Sequence, residues 1–217
     1  MKAGTLLSRS ALVAASLALF AGTARADGTI GQTLFKTGDM WVAFVGSDAA
    51  YSDDLNFFLT IGDFSTNQVL FNNHTAAGGD EVDVNDGAIN VGDEAIFGIC
   101  TEESGGNGPV DCANADNVFY SGNGSANSDG LAHAKVWTRA EYLNEFGASS
   151  LDAIPADYGY VIGFEDILNG GDRDYNDAVF ALKGVTTVPE PVTMTLLATG
   201  LAGMGGAGLV RRRKKTV

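Results

Sequence analysis

Short apolar runs, many of them β-branched or aromatic, alternate with polar segments rich in glycine, aspartate and asparagine along the middle of this chain. Apolar runs separated by turn-forming residues at close spacing are typical of an antiparallel β-sandwich. The segments 46–54 and 122–129 are predicted as loops, and 72–90 as a loop or hairpin. The pattern predicts strands at 27–36, 40–45, 55–61, 68–71, 94–100, 118–120, 131–137, 158–164 and 178–185.

One short helix interrupts this pattern, at 139–146. Thr138 and Glu141 have the spacing of a capping box, in which each side chain accepts a backbone N–H near the other residue. Gly147 suits the end of such a helix. We therefore expect an all-β fold, an antiparallel β-sandwich of jelly-roll type with at most one short helix. Roughly 160 residues between the two chain ends are enough to bury a core.

The first 26 residues have the features of a secretory signal peptide. Lys2 and Arg9 supply basic charge, and an apolar run follows at 11–21. Ala24-Arg25-Ala26 provides a cleavage site before Asp27. The apolar run is too short to cross a bilayer. The sequence therefore predicts export of the chain.

Export bears on Cys100 and Cys112, the two cysteines of the chain. An oxidising compartment permits a disulfide, so the two are expected to pair, and two free thiols are the alternative. A bridge closing a loop of this size contributes roughly 3 kcal/mol of stability. With no histidine near the pair, a zinc site is not indicated.

The other end of the chain carries three features in order. Val188-Pro189-Glu190-Pro191 precedes an apolar stretch at 192–210, and a basic cluster follows at 211–215. A helix over the apolar stretch would be about 28 Å long, which is enough to span a hydrocarbon core. The basic cluster would stay on the cytoplasmic side. A permanent C-terminal membrane anchor accounts equally well for these residues.

This tail resembles the PEP-CTERM sorting signal of Gram-negative bacteria. The resemblance implies that a membrane-embedded exosortase processes the chain near Pro189, Glu190 and Pro191, while 192–210 crosses the inner membrane transiently. It also implies delivery to the cell surface or the exopolysaccharide matrix. The expected organisation is a signal peptide at 1–26, a β-sandwich domain at 27–187 and a sorting signal at 188–217.

Charge is distributed unevenly along the chain. Between residues 27 and 189 there are five basic residues and 26 acidic ones. Such a surface repels nucleic acid, whose phosphates require Lys and Arg partners. It attracts cations, and a chain of mutually repelling carboxylates is stabilised by binding them. Solubility alone is the simpler explanation of the same composition.

The densest group of candidate ligands lies between two apolar runs, within 163–182. Its oxygen-bearing side chains are Glu165, Asp166, Asp172, Asp174, Asn176 and Asp177. Calcium binds six to eight such oxygens. The spacing from Asp172 begins like an EF-hand, but Asp177 replaces the glycine at the sixth position and Lys183 the glutamate at the twelfth. The residues leave two interpretations open, a hard-cation site and a carboxylate-rich turn between strands.

The segment Gly163-Phe164-Glu165-Asp166, followed by Gly170 to Asp177, resembles the signature of a domain of unknown function that recurs in secreted bacterial surface proteins. Gly46 to Tyr51 and Asn127 to His133 resemble further features of the same domain. This resemblance, which spans most of the mature chain, implies a β-rich calcium-binding domain without an assigned activity.

The resemblance also gives the acidic loop a partner. It implies that Asn127 and Asp129 bind the same calcium ion, with His133 supporting them from behind. The simpler alternative for these three residues is a turn followed by a half-buried histidine.

Catalysis has little support in the sequence. Carboxylate pairs such as Asp53-Asp54 would serve a glycoside hydrolase, but they arise by chance in so acidic a chain. Neither a G-x-S-x-G motif nor a triad candidate is present. We expect an exported, non-catalytic surface or matrix protein, stabilised by calcium, with a role in structure, adhesion or floc formation and exopolysaccharide as a candidate partner. A lectin-like module with Trp41 and Trp137 as stacking residues is the alternative.

Overall fold

A computed structural model describes residues 27–104 and 108–187. Within them, β-strands dominate, with one short α-helix, α1, at Arg139–Phe146 and a 3-10 helix at Ala148–Leu151. The strands are β1 (Thr29–Ile30), β2 (Leu34–Gly46), β3 (Ser52–Phe58), β4 (Gln68–Asn72), β5 (Glu81–Asp83), β6 (Ile96–Glu102), β7 (Asn117–Tyr120), β8 (Ala134–Thr138), β9 (Tyr160–Phe164) and β10 (Ala178–Thr187).

The strands form two sheets in which every pairing is antiparallel. The larger sheet has six strands in the order β1-β8-β9-β10-β2-β5, and the smaller has four in the order β4-β3-β6-β7. One continuous core contains apolar side chains of both sheets, among them Val42 and Phe180 of the larger sheet and Leu55 and Phe97 of the smaller. The sheets therefore pack face to face as a β-sandwich, which confirms the predicted class. The jelly-roll subtype stays a prediction.

Both outer faces of the sandwich are also covered. On the larger sheet, α1 and the segment after it pack over Trp137, Val161 and Val179. On the smaller sheet, the loop closed by the Cys100–Cys112 disulfide packs around Phe58 and Tyr120. The predicted disulfide is confirmed, with a Cα–Cα distance of 5.2 Å.

Local sequence signals place α1 correctly. The Thr138 hydroxyl accepts from Glu141 N at 3.3 Å, and the Glu141 carboxylate accepts from Thr138 N at 2.6 Å. Gly147 ends the helix, and its N–H donates to Leu143 O at 3.0 Å. The capping box and the stop are both as predicted.

The predicted strand at 55–61 is displaced by three residues in the structure. β3 runs over Ser52–Phe58, so Asp53 and Asp54 lie in the strand instead of the preceding loop, and both are fully buried. Side chains alternate along a strand. Asp53 thus shares a face with Leu55 and Phe57, which lie in the core between the sheets.

The predictions for the two chain ends concern residues outside the described ranges. These are the signal peptide at 1–26, the sorting motif at Pro189, Glu190 and Pro191, and the apolar span at 192–210. Among the helices that the structure does describe, none is long and apolar enough to cross a membrane.

Candidate functional site

The acidic loop at 165–177 joins β9 to β10 and lies where their hairpin closes. Its last residues are fixed by the segment after β2, because Asp48 N donates to Asn176 O at 3.1 Å and the Ser47 hydroxyl donates to Asp177 O at 2.5 Å. Ser47 also accepts from Asn73 Nδ2 at 3.3 Å. The end of the loop is therefore tied to the segment after β2, and through Ser47 to Asn73, which follows β4 of the smaller sheet.

The loop backbone is not an extended strand. Asn169, Arg173 and Tyr175 have φ values of 68°, 64° and 57°, a region that side chains with a Cβ rarely adopt. Packing offsets the backbone strain at Tyr175, since its ring is buried in the cluster on the outer face of the larger sheet. A Cβ at Gly163 would collide with Tyr175 O, so glycine is required there for the loop to approach β9.

Glu165 is the centre of what we call the outer site, formed with Asp172 and Asp174. Glu165 is 1% exposed, and its Oε1 accepts from Tyr175 N at 2.5 Å. Its Oε2 is buried and has no hydrogen-bond partner among the described residues. Gly171 packs so closely that a Cβ there would collide with this same oxygen. A buried carboxylate oxygen without a donor is costly, so Glu165 Oε2 requires a proton, a water or a cation as its partner.

Asp172 and Asp174 are exposed and complete the outer site. One carboxylate oxygen of each, together with one of Glu165, lies within 4.8 Å of the other two, which allows all three to bind one ion. Asn176 donates from its backbone N at 3.1 Å and from Nδ2 at 2.7 Å to the two oxygens of Asp174. Burial raises the pKa of Glu165, although backbone hydrogen bonds from Tyr175 and Arg173 oppose the shift.

A second group, which we call the inter-sheet carboxylates, consists of Asp53, Asp166 and Asp177. Asp53 and Asp166 are 0% and 2% exposed, and Asp177 Oδ2 accepts from Asp166 N at 3.0 Å. Burial and the charges of Asp166 and Asp177 raise the pKa of Asp53 to about 9. Burial and the charge of Asp177 likewise raise the pKa of Asp166 to about 7. Without a counter-ion this group therefore retains protons near neutral pH.

The segment predicted to share the ion, Asn127 to His133, does approach the acidic loop, but through hydrogen bonds. Asp129 Oδ2 accepts from Asn169 N at 2.8 Å and faces His133 Nε2 at 2.9 Å, while Oδ1 accepts from Leu131 N at 3.0 Å. Asn127 Oδ1 accepts from Tyr120 N at 2.7 Å. The oxygens of this segment are thus supplied with donors from the protein.

His133 links the two segments. The ring is fully buried, stacks on Phe119 at 3.8 Å between centroids, and places Nδ1 3.0 Å from Glu165 O. Burial opposes ionisation of Asp129, but hydrogen bonds from Leu131, His133 and Asn169 outweigh it and bring the pKa of Asp129 to about 2. The supporting role of His133 behind a cation stays a prediction. Ligation by Asn127 or Asp129 stays a prediction.

Asp53 is the main residue that sequence reasoning missed, together with Ser47 and Asn73. Asn73 Nδ2 donates to Asp53 Oδ2 at 3.2 Å, and Asp53 N donates to Asn73 Oδ1 at 2.9 Å. The alternation of Asp53, Leu55 and Phe57 carries the signal that would have placed Asp53 on the inner face of β3.

Comparison with known proteins returned one family. Residues 50–185 match the family described as Domain of unknown function (DUF4114), a range that includes both the Asn127 to His133 segment and the acidic loop. Neither the curated proteins nor the solved structures gave a significant match.

Proposed function

Because the chain belongs to the DUF4114 family, whose description assigns it no activity, we propose from its geometry that it is a non-catalytic, calcium-stabilised β-sandwich. The observation that carries this proposal is buried Glu165, whose Oε2 has no donor in the described chain and whose carboxylate lies within reach of one ion together with Asp172 and Asp174. Calcium suits the site because its ligands are oxygens of carboxylates, carbonyls and water. Bound there, it would neutralise Glu165 and hold the acidic loop in its positive-φ conformation.

Calcium titration calorimetry on the full-length chain, freed of metal by a chelator, tests this proposal. The wild-type chain should bind calcium, and Asp172→Asn/Asp174→Asn should lose the ion of the outer site. The matched control is Asp152→Asn/Asp157→Asn, which removes the same charge from two exposed positions outside the acidic loop. Equal heats in the wild type and the loop variant would sink the proposal, whereas equal losses in loop variant and control would point to net charge alone.

For the cellular role, we propose a protein of the cell surface or exopolysaccharide matrix of a Gram-negative bacterium. Support comes from the signal-peptide features of 1–26 and the sorting motif before 192–210. A calcium-loaded domain in that location would serve structure, adhesion or floc formation. Alanine at Pro189, Glu190 and Pro191 should leave an unprocessed precursor in the inner membrane. Normal processing of that variant would remove the exosortase from the proposal.

A lectin-like module is the second candidate, favoured by a cleft of about 460 Å³ at the β2–β5 edge of the larger sheet. Half-buried Trp41 lines it with Asp39, Asp83 and Asn85, and an aromatic ring beside carboxylate and amide groups suits a saccharide. Trp137 is fully buried and bonded to Glu145, so it is not available for stacking. A glycan array with and without calcium, comparing wild type with Trp41→Ala, distinguishes the two functions.

A further inference from the structure

The inter-sheet carboxylates come from opposite sheets of the sandwich. Asp53 lies in β3 of the smaller sheet. Asp166 and Asp177 lie near the two ends of the acidic loop, which joins two strands of the larger sheet. Since Asp53 alternates with Leu55 and Phe57 on the inner face of β3, its carboxylate points toward the larger sheet. The Asp166 carboxyl is close enough to share a proton with the side chains of both Asp53 and Asp177. A group bound beside Asp166 would therefore touch both sheets.

One carboxylate oxygen of Asp53 receives no hydrogen bond from its neighbours. Its Oδ1 is buried and lacks a hydrogen-bond partner within the described ranges, and Asn73 Nδ2 reaches only Oδ2. The charges that act most strongly on Asp53 are other carboxylates, Asp166 first and Asp177 next. A buried ionised carboxylate costs several kcal/mol unless a cation accompanies it. When ionised, the inter-sheet carboxylates therefore place unbalanced negative charge between the two sheets, and no donor of the described chain reaches Asp53 Oδ1.

Other buried acids of this protein show how the chain satisfies a carboxylate when it does so by itself. Asp54, the next residue, accepts from Asn72 Nδ2 at 2.7 Å and from Val110 N at 2.9 Å. Asp86, which is only half-buried, pairs with Lys36 Nζ at 3.0 Å. Asp53 is as deeply buried as Asp54 but receives no such donor at Oδ1. Besides Asn73, the side-chain contact of Asp53 is the Asp166 carboxyl, so a shared proton or a cation must take the place of the donors that serve Asp54.

We propose that the inter-sheet carboxylates bind a second divalent cation of the calcium type, separate from the ion of the outer site, which joins the two sheets. Asp53 Oδ2 and Asp177 Oδ2 already accept hydrogen bonds, which leaves up to four oxygens of the three carboxylates for a hard cation, and water can complete its coordination. One dication neutralises two of the three charges, and a proton or the nearby amide of Asn73 can satisfy the third. The two sites share no carboxylate, although Glu165 and Asp166 are consecutive and the charges of Asp172 and Asp174 act on Asp177.

Counting the calcium ions per chain tests the proposal, by native mass spectrometry and calorimetry on the full-length protein. The wild type should bind two ions. Asp53→Asn should bind one, retained at the outer site, and Asp172→Asn/Asp174→Asn should bind one, retained between the sheets. The matched control is Asp54→Asn, which makes the same change at equal burial on the opposite face of β3 and should bind two. Asp166→Asn serves as a second variant should Asp53→Asn fail to fold.

Hydrogen exchange identifies what the second ion does. Calcium should slow exchange in β3 as well as in the acidic loop of the wild type, and only in the loop of Asp53→Asn. Two ions in Asp53→Asn would overturn the inter-sheet site. One ion in the wild type, lost in both site variants, would mean a single shared ion and would overturn it equally. One ion in the wild type that Asp53→Asn retains would show that the inter-sheet carboxylates hold protons instead of a cation.

Discussion

The Asn127 to His133 turn and the acidic loop look alike in sequence, because each combines aspartate, asparagine and glycine within a few residues. In the structure they differ in whether their carboxylate oxygens receive hydrogen bonds from the protein. Both oxygens of Asp129 have donors or a ring nitrogen within 3.0 Å, whereas Glu165 Oε2 and Asp53 Oδ1 have none among the described residues. The difference teaches that acidic composition alone does not locate a cation site. The useful criterion is a buried carboxylate oxygen whose donors are missing.

The largest expected effect on stability comes from the Asn127 to His133 turn, where the Asp129 carboxylate has its hydrogen-bond donors. Asp129→Ala removes the acceptor of three contacts, from Leu131 N, His133 Nε2 and Asn169 N. At about 1 kcal/mol each, the free energy of unfolding should fall by about 3 kcal/mol. Urea denaturation should give the same loss in calcium and in chelator. A loss seen only in calcium would instead make Asp129 a ligand, as the family resemblance implies, and would break the comparison.

The inter-sheet carboxylates predict that the stability of the calcium-free protein depends on pH. Because the pKa values of Asp53 and Asp166 are raised in the folded state, their contribution to stability is present below the unfolded pKa of about 4 and is lost as pH rises toward 7 and 9. The free energy of unfolding in chelator should fall between pH 5 and 8 by about 1.4 kcal/mol per pH unit for each proton retained.

Asp129 serves as the internal reference for that experiment. Its lowered pKa contributes stability that is present above about pH 4 and is lost only as pH falls toward 2, so it stays silent between pH 5 and 8. Saturating calcium should flatten the profile over the same range. A calcium-free profile that is already flat would show that the inter-sheet carboxylates ionise freely.

A smaller effect of opposite sign is expected at Asp53. In chelator at pH 8, Asp53→Asn should raise the free energy of unfolding by about 1 kcal/mol, since folding of the wild type must either protonate this carboxylate or bury it ionised, and asparagine requires neither. Asp54→Asn should lower it, because the carboxylate it removes accepts from Asn72 and Val110. Thermal or urea unfolding of the two variants under identical conditions provides the comparison. Destabilisation of equal size in both would show that Asp53 is satisfied in solution.

Much of the fold was accessible from sequence because its determinants are local. The capping box and Gly147 fix α1, and the two cysteines could pair only with each other. The start of β3 was not accessible, because the sequence pattern places Asp53 and Asp54 in the predicted loop at 46–54. Their burial depends on Asn72 and Asn73, whose proximity only the paired strands create.

Most residues of the candidate site could be predicted from the sequence, but which of them lie together could not. The acidic loop was identified from Glu165 to Asp177, but the alternation of an extended segment would have placed Asp172, Asp174 and Asn176 on one face. Instead, the backbone takes positive φ at Arg173 and Tyr175, because the Tyr175 ring packs into the outer cluster. Burial of Glu165 and the approach of Asp53 from the other sheet are tertiary effects that spacing in the sequence does not encode.

The most direct test of the calcium proposal is anomalous diffraction from crystals of the full-length protein grown with calcium. The account predicts a peak about 2.3–2.6 Å from Glu165 Oε2, with Asp172 and Asp174 as its other protein ligands. A protein donor or an ordered water bound to Glu165 Oε2, with no anomalous peak at the outer site in saturating calcium, would contradict it.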